Sequence, residues 1–568
     1  MFSEFATPKP GQNPALPRGR MIAAAALSSM ENLEIVILLM AALALLYALA
    51  NRLKLPYPVL LVVAGLLIGL VPGLPVVRLS PNVVFLVFLP PLLYEASFNT
   101  SWHDFKRYHR SISLLAIGLV LFTMAAVAAV AHYLIPGMTW ALGFVLGAIV
   151  SPPDAVAATS ATHGLGLPRR VSTILEGESL LNDASALIAY RYAVAAVVTG
   201  TFGFWEAGLQ FLLVAGAGLA LGAALGFLFT RLQSRVQDPT LATVLSLLSP
   251  FMGYVLAEHL HISGVLAVVA TGLVMSWNSF EAYTFRTRIR RSNFWKVLTF
   301  LLNGFVFILI GLQLPAIMEG LGNYSLPAII GYGLLISVVA IVVRLLWIFP
   351  AGLFSYYFGR GRQEFPSVKE QARELFVVSW SGMRGVVSLA TALALPMVLR
   401  NGAPFPQRNL ILFITFCVIL VTLVVQGLSL PWFVRRLGVQ TPPEEDLQEA
   451  RELRLELARA ALTYIDSTVA SATDARAYQE IRNRFEHRIS RLENPVPPDA
   501  TPNTGLNPAA ERAEFEQILR QQLAVIEHER GLLVQLHRAG TFSEEAVRRV
   551  ERELDITTST LYSQLNAL

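Results

Sequence analysis

Charge and cysteine are what this sequence is short of. Of its 568 residues only 15% are charged while 54% are hydrophobic, and the mean hydropathy is +0.55. Soluble chains carry about 25% charged residues, so a single soluble globule is excluded. The shortage is uneven: charges crowd beyond about residue 440 and leave the first three quarters apolar. That division predicts an integral membrane domain followed by a smaller polar one. A lone cysteine, Cys417, lies inside an apolar run, which excludes an intrachain disulfide and leaves no thiol pair for redox chemistry. The net charge of +5 sits in short loops between apolar runs, as membrane insertion requires, so no nucleic-acid partner is expected. Metal-cluster spacing, a Gly-rich phosphate loop and a nucleophile–base pair are all missing, and neither an enzyme nor a cofactor is expected.

What is present is a series of apolar runs. About thirteen lie near 33–50, 57–71, 82–98, 111–135, 140–161, 172–199, 207–230, 241–258, 262–276, 295–318, 326–353, 375–398 and 409–434. Each approaches the ~20 residues that cross a bilayer as helix. The alternating ten-residue segments of a membrane β-barrel do not occur. Arg52, Lys106, Arg169, Arg231, Arg286, Arg360 and Arg435 represent a strong excess of basic residues in the loops of one side. That excess places the C-terminal domain in the cytoplasm and, with an odd number of crossings, the N-terminus outside. Residues 1–32 read as a disordered leader, with Met30 a plausible start; Arg18 and Arg20 ahead of an apolar stretch also fit a signal peptide.

Two triplets of runs share an outline. The fifth run is interrupted by SPPD at 151–154 and the twelfth by SGMRG at 381–385. Pro152, Pro153, Gly382 and Gly385 are poor residues for an unbroken helix. Six runs, a linker run and six more predict two inverted six-helix repeats whose broken helices cross at a midplane site.

The stretch EGESLLNDAS at 176–185 places three carboxylates in the sixth run. Asp183 falls near the bilayer centre, where an ionised carboxylate costs several kcal/mol, of order 3 or more, unless a cavity, a partner or a cation compensates it. It is thus a group for which a proton and a metal cation can compete; the plainer reading is a helix-packing hydrogen bond. Asp154, in the first break, can neutralise helix N-termini while freed carbonyls offer oxygen ligands. Arg384, in the second, can neutralise helix C-termini or a carboxylate, and Glu178 is expected to be its ion-pair partner. Glu95, at the end of the third run, is either an interfacial carboxylate or a steering group for cations. Glu176 and Arg191 receive no role; Arg191 can snorkel outward.

The motifs LPPLLYEA, SPPDAVA, EGESLLND and GMRG, in this order, resemble those of the sodium/proton exchanger branch of the cation:proton antiporter superfamily, its first family, with bacterial NhaP-like members similar over residues 33–438. The resemblance implies a thirteen-helix homodimer in the inner membrane with a mobile six-helix core, working by elevator-like alternation. It makes Asp183 the shared carrier of cation and proton, Asn182 its neighbour, and Ser179, Asp154 and Glu95 candidate cation ligands. Glu178–Arg384 would be a core ion pair. Members with Asn before the Asp exchange electroneutrally, so one monovalent cation, Na+ foremost and K+ as the alternative, would be exchanged for one H+. The chain departs from the family's Thr-Asp-Pro break motif: here Pro153-Asp154-Ala155 lacks the Thr oxygen and has its proline upstream. A sodium-coupled solute symporter and a membrane cation sensor are the rival readings.

Beyond 438 the sequence turns polar. Residues 444–493 show charged and apolar residues at helical spacing, 494–508 is a Pro-rich linker, and 509–538 and 543–565 predict two further helices, the second capped by Ser543. The expectation for 439–568 is a soluble helical domain that supports the transporter.

Overall fold

The computed structural model describes residues 18–72, 80–162, 165–200, 203–321, 324–358, 367–399, 402–440, 443–469, 475–493 and 510–567. Without water to satisfy it, backbone in a bilayer bonds to itself, and each apolar run is accordingly helical. Among the described residues the architecture is all-α, apart from one isolated bridge between Val398 and Pro404.

The first half comprises α1 (Arg18–Leu53), α2 (Tyr57–Gly69), α3 (Pro81–Asn99) and α4 (Trp102–Leu134), then the broken helix α5 (Trp140–Val150) and α6 (Ala155–Thr162), and α7 (Arg169–Thr199). The second half comprises α8 (Phe204–Gln233), α9 (Pro239–His259), α10 (Gly264–Trp277), α11 (Phe285–Leu312) and α12 (Leu326–Phe358), then the broken helix α13 (Val368–Trp380) and α14 (Val386–Leu393), and α15 (Arg408–Leu437). Nine helical stretches among the described residues are long and apolar enough to cross a bilayer. They are fewer than the thirteen runs for physical reasons. Apolar helices α2 and α10 are short, α7 carries several charges, and the α13–α14 helix is broken into pieces. Helix α1 begins at Arg18, so residues 18–32 of the expected leader are helical; 1–17 lie outside the described residues.

Packing depends on small residues. A Cβ on Gly65 would strike the Ile308 carbonyl and one on Gly311 the Val62 carbonyl, so α2 and α11 touch backbone to backbone. One apolar core joins the two broken helices to α4, α7, α12 and α15; a second joins α3, α8, α9, α10 and the start of α11. Large apolar side chains point outward on α1, such as Ile37 and Leu38, and on α8, such as Leu209 and Leu212, as a lipid-facing surface requires.

Four amphipathic helices follow: α16 (Pro443–Val469), α17 (Ala475–Glu493), α18 (Ala510–Ala539) and α19 (Glu544–Ala567). Ser543 Oγ accepts from the Ala546 N–H at 3.0 Å and caps α19. The Pro-rich linker lies outside the described residues. Phe280, between α10 and α11, is part of the same apolar core as Leu453, Leu533 and Val547, so the polar domain is docked on the helical bundle.

Candidate functional site

The two breaks make the site. Pro152 and Pro153 cannot donate backbone hydrogen bonds, so α5 ends at Val150 and α6 starts at Ala155. The second break runs from Ser381 to Gly385. The two interruptions meet, with the Asp154 N–H donating to the Met383 carbonyl at 2.6 Å.

Each break carries a charge that serves both helices. Asp154 Oδ1 accepts from the N–H groups of Val156 at 2.9 Å and Ala157 at 3.3 Å, the free amides that open α6. Its carboxylate also takes the Val386 N–H that opens α14. A Cβ on Gly385 would occupy the place of the Asp154 carboxylate, which is why glycine stands there. Arg384 does the converse. Its guanidinium donates to the Val150 carbonyl at the end of α5 at 3.1 Å, to the Gly382 carbonyl, and to Ala340 of α12 at 3.2 Å. The partial charges at four helix ends are therefore neutralised by one acid and one base.

The expected Glu178–Arg384 ion pair is not formed. Glu178 instead receives both terminal nitrogens of Arg344 of α12, at 2.5 and 2.7 Å, and both side chains are almost wholly buried. Arg344 also donates to the Val378 carbonyl at 3.1 Å. Arg384 is taken up by helix-end carbonyls, which leaves Arg344 to meet the acid. Sequence reasoning missed Arg344, although it is the sole charge in the 33 residues of α12.

On the neighbouring face of α7, Ser179 and Asp183 stand one turn apart and line a cavity of about 320 Å³ together with Asp154 and Glu176. Among the described residues the Asp183 carboxylate has no hydrogen bond and no ion pair, although the residue is only 6% exposed. The plainer reading, a packing hydrogen bond, is absent. Asn182 faces the other way: its Nδ2 donates to the Pro153 carbonyl at 3.3 Å and fastens α7 to the break, while its Oδ1 is buried without a partner. Thr159 of α6, Asn303 of α11 and Ser388 of α14 also reach the cavity, and the Ser388 hydroxyl has no partner. These uncharged cavity-lining residues were missed because Ser, Thr and Asn are unremarkable in a helix until it is known which face meets a carboxylate.

Glu95 does not join them. It pairs with Arg291 of α11 at 3.2 Å and accepts from Asn99 at 2.8 Å, and Arg291 lies on the Phe98 ring. Arg191 pairs with Glu258 of α9 at 2.8 Å, a half-exposed bridge rather than a snorkelling side chain. A second hollow of about 390 Å³, beside the turn at 132–139, brings no group of carboxylates together. What the main cavity offers is hard oxygen ligands around a carboxylate that can hold either a proton or a monovalent cation.

The family model described as "Sodium/hydrogen exchanger, transmembrane" matches residues 37–436. An uncharacterized Na+/H+ exchanger of Mycobacterium tuberculosis is 34% identical over 529 residues, covering 92% of this chain and 95% of that one. A sodium, potassium, lithium and rubidium/H+ antiporter of Bacillus subtilis is 34% identical over 386 residues, 66% of this chain and 57% of its own length. The solved structure of the sodium proton antiporter MjNhaP1 from Methanocaldococcus jannaschii aligns with a TM-score of 0.58 at 19% identity, covering 72% of this chain and 99% of that one. That last likeness is one of fold.

Proposed function

This chain belongs to the sodium/hydrogen exchanger family, and we propose that Asp183 is the group through which it exchanges a monovalent alkali cation for H+. The observation that carries this reading is the carboxylate of Asp183 itself, facing a cavity at the crossing of two broken helices with no partner among the described residues. An ion there is tolerable only when something compensates it. A bound proton does so by removing the charge and an alkali cation by balancing it, and the two exclude each other. Ser179, Asp154, Thr159 and Ser388 supply the remaining oxygens.

One titrating carboxylate gives one proton per monovalent cation, hence electroneutral exchange. Na+ is the first candidate, and a relative named for sodium, potassium, lithium and rubidium exchange supports a range wide enough to include K+. No cofactor beyond the two ions is needed. The basic loops support a bacterial inner-membrane protein with its polar domain in the cytoplasm, and the outward apolar faces of α1 and α8 suit lipid or the second copy of a homodimer.

The test is the Asp183→Asn variant in proteoliposomes carrying an imposed pH gradient. Loss of cation-dependent collapse of that gradient, with the wild type active, is expected; an unimpaired variant would refute the site.

A further inference from the structure

Besides Asp183 and Asp154, the cavity has a third carboxylate that the exchange reaction described above does not use. Glu176, Ser179 and Asp183 are spaced three and four residues apart and share one face of α7. Seven residues of helix put Glu176 about 10 Å along the axis from Asp183. Among the described residues the Glu176 carboxylate has no hydrogen bond or ion pair.

The charges it faces come from two elements. Arg548 and Glu545 belong to α19 of the polar domain, and Asp104 belongs to α4. Asp104 is held by Arg169 at 2.5 Å and Glu545 by Arg549 at 3.4 Å. Arg548 is fixed at the mouth of the cavity. Its guanidinium donates to the Phe98 carbonyl at 2.9 Å, to Ser276 Oγ at 3.0 Å, to Glu544 at 2.9 Å and to Asn99 Oδ1 at 3.4 Å. Asn99 itself lines the cavity. A basic side chain carried by the polar domain is thus bolted to the rim of the transport cavity, beside a bare carboxylate on the Asp183 face.

From this juxtaposition, and resting on the exchanger reading, we propose that Glu176 is a further cation-binding residue of the transport path, an entrance site on the side of the polar domain, and that Arg548 is its built-in competitor. A half-buried carboxylate needs a counter-charge. Arg548 supplies it while the entrance is empty, and an alkali cation that enters takes over that role against the repulsion of the guanidinium. The polar domain thereby sets the cation concentration at which exchange begins.

The test uses the full chain in proteoliposomes, with Na+ and then K+ varied on the face that carries the polar domain. Arg548→Gln is expected to lower the apparent KM about three- to tenfold with kcat retained. Arg548→Lys, which keeps the charge, is expected to retain the wild-type KM, separating electrostatics from undocking. Glu176→Gln is expected to raise KM with kcat retained, to do so from that face only, and to erase the effect of Arg548→Gln. An unchanged KM in Arg548→Gln, or an equal shift in the Glu176→Gln background, overturns the inference. So does a loss of kcat without a change of KM in Glu176→Gln. Wild-type vesicles that exchange no cation for H+ would instead bring down the exchanger reading on which it rests.

Discussion

Glu178 and Asp183 stand five residues apart on one helix and meet opposite electrostatic fates. Glu178 points toward α12, where Arg344 grips both its oxygens; Asp183 points into the cavity and, among the described residues, is gripped by nothing. The first is committed to an ion pair and the second is left open to the cavity. Removing one member of a buried pair strands the other, at a cost of about 3–5 kcal/mol. Arg344→Gln is therefore expected to lower the unfolding temperature of the detergent-solubilised protein sharply. The double variant Arg344→Met with Glu178→Leu is expected to recover most of that loss. Equal melting of the single variant and the wild type would show the pair to be dispensable. Asp183 and Asp154 were legible in the sequence because charge in an apolar run is conspicuous, whereas Ser179 came only from the family resemblance. The partner of Glu178 was not: two arginines, Arg344 and Arg384, lie within apolar stretches, and spacing along the chain does not say which one folds back to α7. The partner of Glu95 was hidden for a similar reason, since Arg291, the group that holds it, lies 196 residues away.

At the scale of elements the central object is the crossing of α5–α6 with α13–α14. The sequence showed both interruptions, because Pro152, Pro153, Gly382 and Gly385 oppose continuous helix, and it showed an acid in one and a base in the other. Hidden from it was the sharing: Asp154 caps the helix after each break, and Arg384 bonds the carbonyls where α5 and α13 give way to the breaks. A charge at a helix end contributes about 0.3–1 kcal/mol when exposed and up to about 2 kcal/mol when partly buried, and here each charge acts on two ends. Gly385→Ala inserts a methyl group where the Asp154 carboxylate stands. The expected outcome is a transporter that still inserts in the membrane but exchanges at a small fraction of the wild-type rate in vesicles. Asp154→Asn keeps an acceptor for the helix amides and removes the charge, so it should retain more activity than Asp154→Ala. Equal loss in the two variants would show that the residue acts by charge alone.

Across the whole molecule, the polar domain is wired to the bundle by ion pairs as well as by Phe280. Arg288 of α11 meets Glu551 at 3.0 Å and Asp555 at 2.5 Å, and Arg530 of α18 also holds Asp555 at 2.9 Å. Burial at this junction outweighs Arg288 and pushes the Glu551 carboxyl up to about 7, with Asp555 and Glu544 adding repulsion and Arg548 opposing it. Burial would also raise Glu544, but the His537 hydrogen bond and the nearby Arg548 hold it down to about 2. The signs differ. A raised carboxyl favours the docked, protonated form, so docking weakens as pH rises from the free-acid range, about 4.5, through about 7. The depressed Glu544 contributes stability that is complete above its free value and lost only as pH falls toward about 2. The protection factors of the α19 amides, corrected for the intrinsic rise of exchange with pH, are therefore expected to fall between about pH 4.5 and 7, and Glu551→Gln should flatten that dependence. Protection that rises with pH would reverse the assignment. The sequence marked a helical domain with a capped last helix, but which of its many charges face the bundle depends on docking, which periodicity does not encode.

The central claim, that cation and proton exclude each other at Asp183, is tested most directly by calorimetric titration of Na+ into the purified protein at a series of pH values and in buffers of different ionisation enthalpy. The account predicts one proton released per cation bound, an affinity that falls about tenfold per pH unit once the carboxylate is protonated, and neither effect in Asp183→Asn. Cation binding of pH-independent affinity, with no proton released, would contradict it.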